Sequence, residues 1–214
     1  MRPLILASSS PRRRRLLREL GVPFSVRAAA VDERPRPGEA PAAHVRRLAL
    51  AKARAVARGL SPACGARWVL GADTVIALDG EILGKPRGPR DAERMLARLA
   101  GRTHEVLTGV ALVPVRGPAS ERGLVAAVAG QSSVAVVRSR VTMRPFDAAA
   151  IRRYVASGEP LDKGGAYAVQ GRGRRLVTRV EGSLTNVVGL PLEKVVSMLA
   201  ACGLSVERPV RRQC

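Results

Sequence analysis

The first residues of the chain restrict its fold more than any other segment, because they pair a short apolar run with a polar turn and a basic helix. Residues 4–7 (Leu-Ile-Leu-Ala) suit a buried strand, and three serines follow. Ser10 is a favoured N-cap, and Pro11 suits the first helical position. A helix is predicted over residues 11–20 and a second strand over residues 24–29. This β-α-β opening is typical of α/β proteins.

The same turn has the chemistry of an anion site. Backbone N–H groups at the start of a helix lack intrahelical partners and favour a negative charge, so those of residues 8–12 are expected to point toward one anion. Arg12 and Arg13 add charged donors beside Ser8. We interpret the turn as a phosphate grip, although an ordinary capped helix with solvated arginines has the same pattern.

Helices and strands alternate along the rest of the chain, with no internal repeat and no low-complexity linker. The apolar spacing predicts helices over residues 41–58, 89–100, 146–157 and 191–201. Strands are predicted over residues 68–78, 81–85, 104–115, 124–144 (one long strand or two paired ones) and 176–180. Asp79-Gly80 is a strong hairpin signal. The prediction is a mixed α/β fold in a single domain covering residues 1–214.

The charge of the chain raises a nucleic-acid hypothesis, because 37 Lys and Arg oppose 17 Asp and Glu, which gives a net charge of +20. Two observations argue against it. The cations are mostly arginines spread along an Ala/Gly/Pro-rich background, and the chain has only two Phe, two Tyr and one Trp from which to build a base-stacking platform. A solvated arginine surface is favoured, and the Gly/Arg-rich residues 171–175 are interpreted as a turn between two strands.

Several other classes of protein are excluded. Apolar runs end well before the length of a membrane span, and the N-terminus lacks the apolar core of a signal peptide, so a cytoplasmic protein is expected. Cys64, Cys202 and Cys214 show no metal-ligand spacing and are expected to be reduced thiols. His44 and His104 have no metal-ligand partners at suitable spacing and are expected to have structural roles.

Asp73 is the first candidate for chemistry, since an acidic residue in the middle of an apolar strand is costly unless it is paired or bound to a metal. A structural salt bridge would also satisfy it. Lys85 follows the predicted hairpin, Lys52 lies near the apolar face of the second helix, and Glu33 is placed at the end of the second strand. Two carboxylates with several cations are suited to a divalent metal and phosphate oxygens.

The order of the motifs closely resembles the Maf family of nucleoside triphosphate pyrophosphatases, from Leu4 to about Leu199. The matching segments are residues 7–13 (Ala-Ser-Ser-Ser-Pro-Arg-Arg), 71–75 (Gly-Ala-Asp-Thr-Val), 84–87 (Gly-Lys-Pro-Arg), 154–167 (Tyr-Val-Ala-Ser-Gly-Glu-Pro-Leu-Asp-Lys-Gly-Gly-Ala-Tyr), 170–171 (Gln-Gly), 181–183 (Glu-Gly-Ser) and 186–192 (Asn-Val-Val-Gly-Leu-Pro-Leu). Several long motifs in the right order are specific, although none would be alone.

The resemblance implies a Maf/ITPase-like fold of two lobes, with a twisted mixed sheet flanked by helices and an active-site cleft between the lobes. It implies hydrolysis of a nucleoside triphosphate to the monophosphate and pyrophosphate with Mg²⁺ or Mn²⁺, a house-cleaning role, and a homodimer. Asp73 would be the general base, Lys52 and Lys85 further catalytic residues, and Glu33 and Asp73 the metal ligands. The residues implied to bind substrate are Ser8, Arg12, Arg13, Thr74, Asp162, Lys163 and Gln170.

Three positions resemble the branch of the family that acts on dTTP and UTP, namely Arg12, Thr74 and Gln170. The branch that resembles 7-methyl-GTP hydrolases has an acidic residue in place of Gln170. A glutamine amide can accept from N3–H and donate to O4 of uracil or thymine, whereas a carboxylate suits the donors of guanine. Because an amide can flip, it can also present the pattern that suits cytosine.

Two alternatives therefore stay open. One is a relaxed specificity that extends to CTP, to modified pyrimidine nucleotides or to other triphosphates. The other is a basic nucleic-acid-binding or division-regulating protein whose nucleotide site is vestigial.

Overall fold

The computed structural model describes residues 4–60, 67–115, 131–204 and 206. Four sequence predictions fall outside these residues: the long loop at 116–123, the start of a strand at 124–130, and the thiols of Cys64 and Cys214. The third cysteine, Cys202, is a free thiol, as predicted. Within the described residues, no helix is both long enough and apolar enough to cross a membrane.

The described residues contain six α-helices, three 3₁₀ helices and seven strands, joined by loops. The α-helices are α1 (Pro11–Glu19), α2 (Pro41–Arg58), α3 (Pro89–Leu99), α4 (Ala148–Ala156), α5 (Leu184–Val188) and α6 (Leu192–Ala201). The 3₁₀ helices are Glu159–Asp162, Gly164–Ala166 and Gly171–Leu176. The strands are β1 (Leu4–Leu6), β2 (Phe24–Val26), β3 (Trp68–Leu78), β4 (Glu81–Leu83), β5 (Thr103–Pro114), β6 (Ser133–Met143) and β7 (Val177–Glu181).

The strands form one mixed sheet in the order β2-β1-β3-β5-β6-β7, with β4 paired to β3. β1 is parallel to both β2 and β3, whereas β4 is antiparallel to β3 and β7 is antiparallel to β6. The parallel part is the β-α-β unit that the first residues predict. The prediction of a mixed α/β fold is confirmed.

The chain divides into two compact units. The first comprises Met1–Asp73, Thr108–Val137 and Gly189–Cys214, and the second comprises Thr74–Leu107 and Arg138–Val188. The assignment of residues 1–214 to a single domain stays a prediction.

In the first unit, α2 packs directly on strand backbone at two glycines. A Cβ atom on Gly71 of β3 would lie 2.2 Å from the carbonyl oxygen of Ala49, and one on Gly109 of β5 would lie 2.2 Å from that of Val45. Both distances are far below a van der Waals contact, so a side chain at either position would push the helix away. Apolar residues fill the space around this contact, including Ile5, Ala7, Ala49, Ala53, Val56, Val69, Ala111 and Val113.

In the second unit, Asp79 and Gly80 have φ angles of 53° and 81° and connect β3 to β4. Positive φ at both central residues is the requirement of a type I′ hairpin turn, as the Asp-Gly pair predicts. His104 of β5 is buried, and its Nε2 lies 2.7 Å from the hydroxyl oxygen of Tyr167. Burial lowers the pKa of His104 to about 4, so the ring is neutral at pH 7.

Two local predictions were wrong, and one helix was not predicted. The second strand ends at Val26 rather than Ala29, so Glu33 lies in the following loop and not at a strand end. Residues 171–176 form a 3₁₀ helix, and the segment before it is not a strand. The helix Leu184–Val188 was not predicted, because five residues are too few to show a helical period.

Candidate active site

Asp73, Lys52 and Glu33 form a charged cluster in the first unit. Nζ of Lys52 lies 2.7 Å from Oδ1 of Asp73 and 2.7 Å from Oε1 of Glu33. The side chains of Lys52 and Asp73 are each 9% exposed, whereas that of Glu33 is 58% exposed. The cluster therefore joins a buried carboxylate to a solvent-facing one through a single ammonium group.

The position of Lys52 follows from the packing of α2 on β3. Lys52 lies between Ala49 and Ala53, the two residues that approach the backbone of Gly71. Side chains alternate along a strand, so Asp73 shares the α2-facing side of β3 with Gly71. Because Gly71 has no side chain, the helix lies close enough for the lysine to reach the carboxylate.

The turn after β1 holds Ser8 and Arg13 in contact. Nη1 of Arg13 donates to Oγ of Ser8 at 3.4 Å, and its Nε donates to the carbonyl oxygen of Gly189 at 2.8 Å. Burial lowers the pKa of the Arg13 guanidinium from its ordinary value, and the negative charges of Asp73 and Glu33 oppose that change. The Arg13 guanidinium is thus close enough to both carboxylates for their charges to affect its pKa.

The predicted N-cap is confirmed, since Oγ of Ser10 accepts from the N–H of Arg13 at 3.4 Å and Pro11 begins α1. The N–H of Ser10 donates to Oγ of Ser8 at 3.2 Å. That N–H is used inside the turn, and Pro11 has no N–H, so the expected set of anion-facing donors from residues 8–12 is smaller by at least two.

The loop that carries Glu33 is fixed to α2 by a second charged group. Oε1 and Oε2 of Glu39 each accept from Arg47 at 2.6 Å, and Oε2 also accepts from Nδ1 of His44 at 2.9 Å. Nη2 of Arg47 donates to the carbonyl oxygen of Arg34, the residue after Glu33, at 3.2 Å. His44 therefore has the structural role that the sequence predicts, and the Glu39–Arg47 pair restrains the loop.

In the second unit, the candidate residues lie on loops that are joined through their backbones. The N–H of Gly165 donates to the carbonyl oxygen of Gly84 at 3.0 Å, which places the segment of exposed Lys85 beside that of Lys163. Lys163 forms an ion pair with Asp162 at 2.5 Å and donates to the carbonyl oxygen of Glu159 at 2.6 Å.

Gln170 is exposed and immediately precedes the 3₁₀ helix Gly171–Leu176. The N–H groups of Arg172 and Gly173 in that helix donate to the Glu159 carboxylate at 3.0 and 2.9 Å. Tyr154 of α4 also donates to that carboxylate, at 2.8 Å. Sequence reasoning missed Glu159, whose only signal is its place before a proline in the motif at 154–167.

The structure brings together Glu33, Lys52 and Asp73 in one cluster, and Ser8 with Arg13 in one turn. Arg12 is half-buried at the start of α1. Thr74, also half-buried, follows Asp73 in β3, and the alternation of the strand points its side chain to the opposite face of the sheet. The roles proposed for Arg12 and Thr74 stay predictions.

These features define a mixed α/β protein with paired carboxylates and cations on one unit and a glycine-rich polar loop on the other. The chain belongs to the Maf family, because the family model described as "Maf-like protein" matches residues 3–202.

The chain is also similar to individual proteins over nearly its whole length. The chain is 50% identical over 207 residues to a protein of Moorella thermoacetica named "dTTP/UTP pyrophosphatase". The aligned residues cover 96% of this chain and 98% of that relative. It is 52% identical over 202 residues to a protein of the same name from Myxococcus xanthus, covering 94% and 93%. A solved nucleoside-triphosphatase (dITP/XTP pyrophosphatase) of Mycobacterium abscessus is 15% identical with a TM-score of 0.42, covering 94% of each chain.

Proposed function

We propose that this protein is a nucleoside triphosphate pyrophosphatase that hydrolyses dTTP and UTP to the nucleoside monophosphate and pyrophosphate. The observation that carries the proposal is the cluster of Glu33, Lys52 and Asp73. It occurs in a chain about half identical, over nearly its whole length, to relatives named for this activity. A buried carboxylate held by an ammonium group in such a cluster can act on water beside a phosphate.

In the proposed reaction, water attacks the α-phosphorus and gives a proton to Asp73. The bond between the α-phosphorus and the oxygen that bridges it to the β-phosphorus breaks, and pyrophosphate leaves with the electron pair of that bond. Lys52 donates to Oδ1 of Asp73 and so fixes the orientation of the carboxylate. Oδ2 is then the atom proposed to accept the proton.

Glu33 and Asp73 are suited to hold a divalent cation. Their carboxylate oxygens converge on one cationic atom at 2.7 Å each, and hard oxygen ligands are those that Mg²⁺ and Mn²⁺ prefer. Across residues 4–60, 67–115, 131–204 and 206, no group of three or more acidic, His or Cys side chains could complete a metal shell. Waters and phosphate oxygens would therefore supply the other ligands, and the bound cation would neutralise charge on the triphosphate.

The cationic side chains are proposed to bind the triphosphate oxygens. Ser8 and Arg13 already contact each other, so they present a hydroxyl and a guanidinium at one place in the turn. Lys52 adds an ammonium in the same unit. In the second unit, Lys85 and Lys163 are proposed to bind substrate on the resemblance of their motifs. Such cations stabilise the charge that develops on the leaving pyrophosphate.

Gln170 is proposed to select the base, with Arg12, Thr74 and Asp162 as further substrate contacts. Its carbonyl oxygen would accept from N3–H of uracil or thymine, and its amide nitrogen would donate to O4. The exposure of Gln170 leaves its side chain accessible to a ligand. An amide fixed in the opposite orientation would accept CTP, so the substrate ranking reports that orientation.

The test is pyrophosphate release by the purified protein from the canonical nucleoside triphosphates and modified pyrimidine triphosphates, with Mg²⁺ or Mn²⁺. We expect dTTP and UTP to be the best substrates. Asp73→Asn should lower turnover by about 10²- to 10⁴-fold, the usual contribution of a general base, while circular dichroism shows a retained fold. EDTA should abolish release, and added metal should restore it.

Asp79→Asn is the matched control, because Asp79 is an exposed carboxylate that pairs with Arg102. It should retain wild-type turnover. Near-normal activity of Asp73→Asn would refute the general base, and full activity in EDTA would refute the metal. Comparable use of CTP would replace the preference for dTTP and UTP by a relaxed specificity. If no triphosphate releases pyrophosphate, the proposed enzymatic activity is refuted and the nucleic-acid-binding alternative remains.

A further inference from the structure

Tyr154 and Glu159 together hold the backbone on both sides of Gln170. The Tyr154 hydroxyl accepts from the N–H of Ala168 at 3.2 Å and donates to Oε1 of Glu159 at 2.8 Å. The same Oε1 accepts from the N–H of Gly173 at 2.9 Å. One pair of side chains therefore restrains residues two positions before and three positions after Gln170.

Close packing adds to these hydrogen bonds. Gly171 has a φ of +70°, and a Cβ atom there would lie 2.8 Å from Oε2 of Glu159. A Cβ atom on Gly173 would lie 2.6 Å from the Tyr154 hydroxyl oxygen. The two glycines let the backbone lie directly against the tyrosine–carboxylate pair, which leaves the segment little freedom to shift.

The carboxylate of Glu159 is ionised in this setting. Burial opposes the charge, but the N–H groups of Gly173 and Arg172, the Tyr154 hydroxyl and the Lys163 ammonium together outweigh burial and lower the pKa of Glu159. Burial and the adjacent carboxylate raise the pKa of Tyr154, so its hydroxyl keeps its proton and acts as a donor. An ionised acceptor makes each of these hydrogen bonds stronger than a neutral one would.

We propose that Glu159 and Tyr154 are positioning residues for base selection, which hold the segment of Gln170 so that its amide presents the pattern for uracil and thymine. This inference rests on the proposed function and adds to it the residues that hold the backbone from which the Gln170 amide reaches the base, since a displaced amide would discriminate less between uracil and cytosine. Neither residue is assigned contact with the substrate. Their effect reaches the base only through the backbone of residues 168–173.

The experiment compares wild type with Glu159→Gln and Tyr154→Phe. A glutamine has one acceptor oxygen where the carboxylate has two, so at least one backbone N–H loses its partner. Loss of one or two such hydrogen bonds should reduce the kcat/KM ratio of UTP to CTP by about tenfold. Tyr154→Phe removes a single oxygen atom and tests the same pair if Glu159→Gln does not fold. Hydrogen exchange at the amides of Ala168, Arg172 and Gly173 should become faster in both variants.

Glu81→Gln is the matched control, because Glu81 is an exposed carboxylate of the same unit that pairs with Arg98. It should leave the UTP to CTP ratio and the exchange rates unchanged. If wild type prefers dTTP and UTP and both variants keep its ratio, this inference alone is overturned, even where their overall turnover falls. If wild type hydrolyses no triphosphate, the proposed function has failed, and the inference fails with it.

Discussion

The two units hold their candidate residues by different physical means. In the first unit, Lys52 and Asp73 project from a long helix and a long strand that pack backbone to backbone at Gly71. In the second unit, Gln170 lies between short 3₁₀ helices, and its neighbours are held by hydrogen bonds to Glu159. Regular packing gives the precision that a reacting group needs, while an irregular loop can change its sequence and with it the ligand that it selects.

The largest effect is expected from Lys52→Met, which removes the ammonium from the first unit. The variant leaves the buried Asp73 carboxylate without its partner, which should cost about 3–5 kcal/mol of unfolding free energy. Turnover should fall with it. Urea denaturation and pyrophosphate release measure the two effects.

The double variant Lys52→Met/Asp73→Asn separates stability from chemistry in the first unit. It removes both buried charges, so it should recover much of the lost stability and none of the lost activity. A double variant as unstable as Lys52→Met would show that the unpaired Asp73 carboxylate is not the cause of the lost stability. Recovery of turnover would contradict the role of Asp73.

The next prediction concerns the pH dependence of the stability of the second unit. His104 has an unfolded pKa near 6.5 and a folded pKa of about 4, so its contribution to stability is present above pH 6.5 and is lost as the pH falls toward 4. The full shift corresponds to about 3 kcal/mol. Thermal unfolding of wild type and of His104→Gln between pH 7 and pH 4 measures it.

In that comparison, the difference in stability between the two proteins should change with pH, since the glutamine does not titrate. A constant difference would mean that the pKa of His104 is the same in the folded and the unfolded protein. Since Tyr167, the partner of His104, lies three residues before Gln170, the segment of residues 167–173 should open before the first unit does as the pH is lowered. Hydrogen exchange at pH 4.5 resolves that order.

The smallest effect is expected from alanine substitutions that test the packing of α2 on the strand backbone. Gly71→Ala and Gly109→Ala each force a methyl group against a carbonyl oxygen of α2, and overpacking of this kind costs about 1–3 kcal/mol. Only Gly71 lies under the turn of the helix that carries Lys52. We therefore expect similar losses of stability but a greater loss of turnover in Gly71→Ala.

Equal losses of turnover in the two glycine variants would contradict this expectation. They would show that the helix moves as one rigid body and that the position of Gly71 has no special effect on Lys52. Denaturation midpoints and kcat for the two variants are sufficient to decide.

Local patterns predicted most of the first unit. The helical period of residues 41–58 placed Lys52 near a buried face, and the apolar strand around Asp73 made that carboxylate conspicuous. The 2.7 Å distance between Lys52 and Asp73 depends on the close packing of α2 against Gly71. The sequence shows that residue 71 is a glycine but does not show which helix packs on it. Glu33 was predicted at a strand end, whereas pairing of the second strand with β1 stops at Val26 and Glu33 lies in the loop that follows.

The second unit was less predictable for a physical reason. Its loop is stabilised by hydrogen bonds between residues 13 or 14 positions apart, and such bonds leave no periodic signal in a sequence. Gly171 and Gly173 lie in a segment predicted to be a turn. In the structure their backbone packs against two side chains, since a Cβ atom on Gly171 would lie 2.8 Å from Oε2 of Glu159 and one on Gly173 would lie 2.6 Å from the Tyr154 hydroxyl oxygen. Motif resemblance identified Gln170, but only the structure shows what holds it.

The ammonium group of Lys52 is a counter-ion for the carboxylates of Glu33 and Asp73. Bringing two carboxylates to one point in a folded protein carries an electrostatic cost, and here a covalently attached cation offsets that cost while the chain folds. The two acidic groups therefore lie close together before any ligand binds. In a chain with so large an excess of cationic side chains, one lysine holds together the two carboxylates that are proposed to act in catalysis.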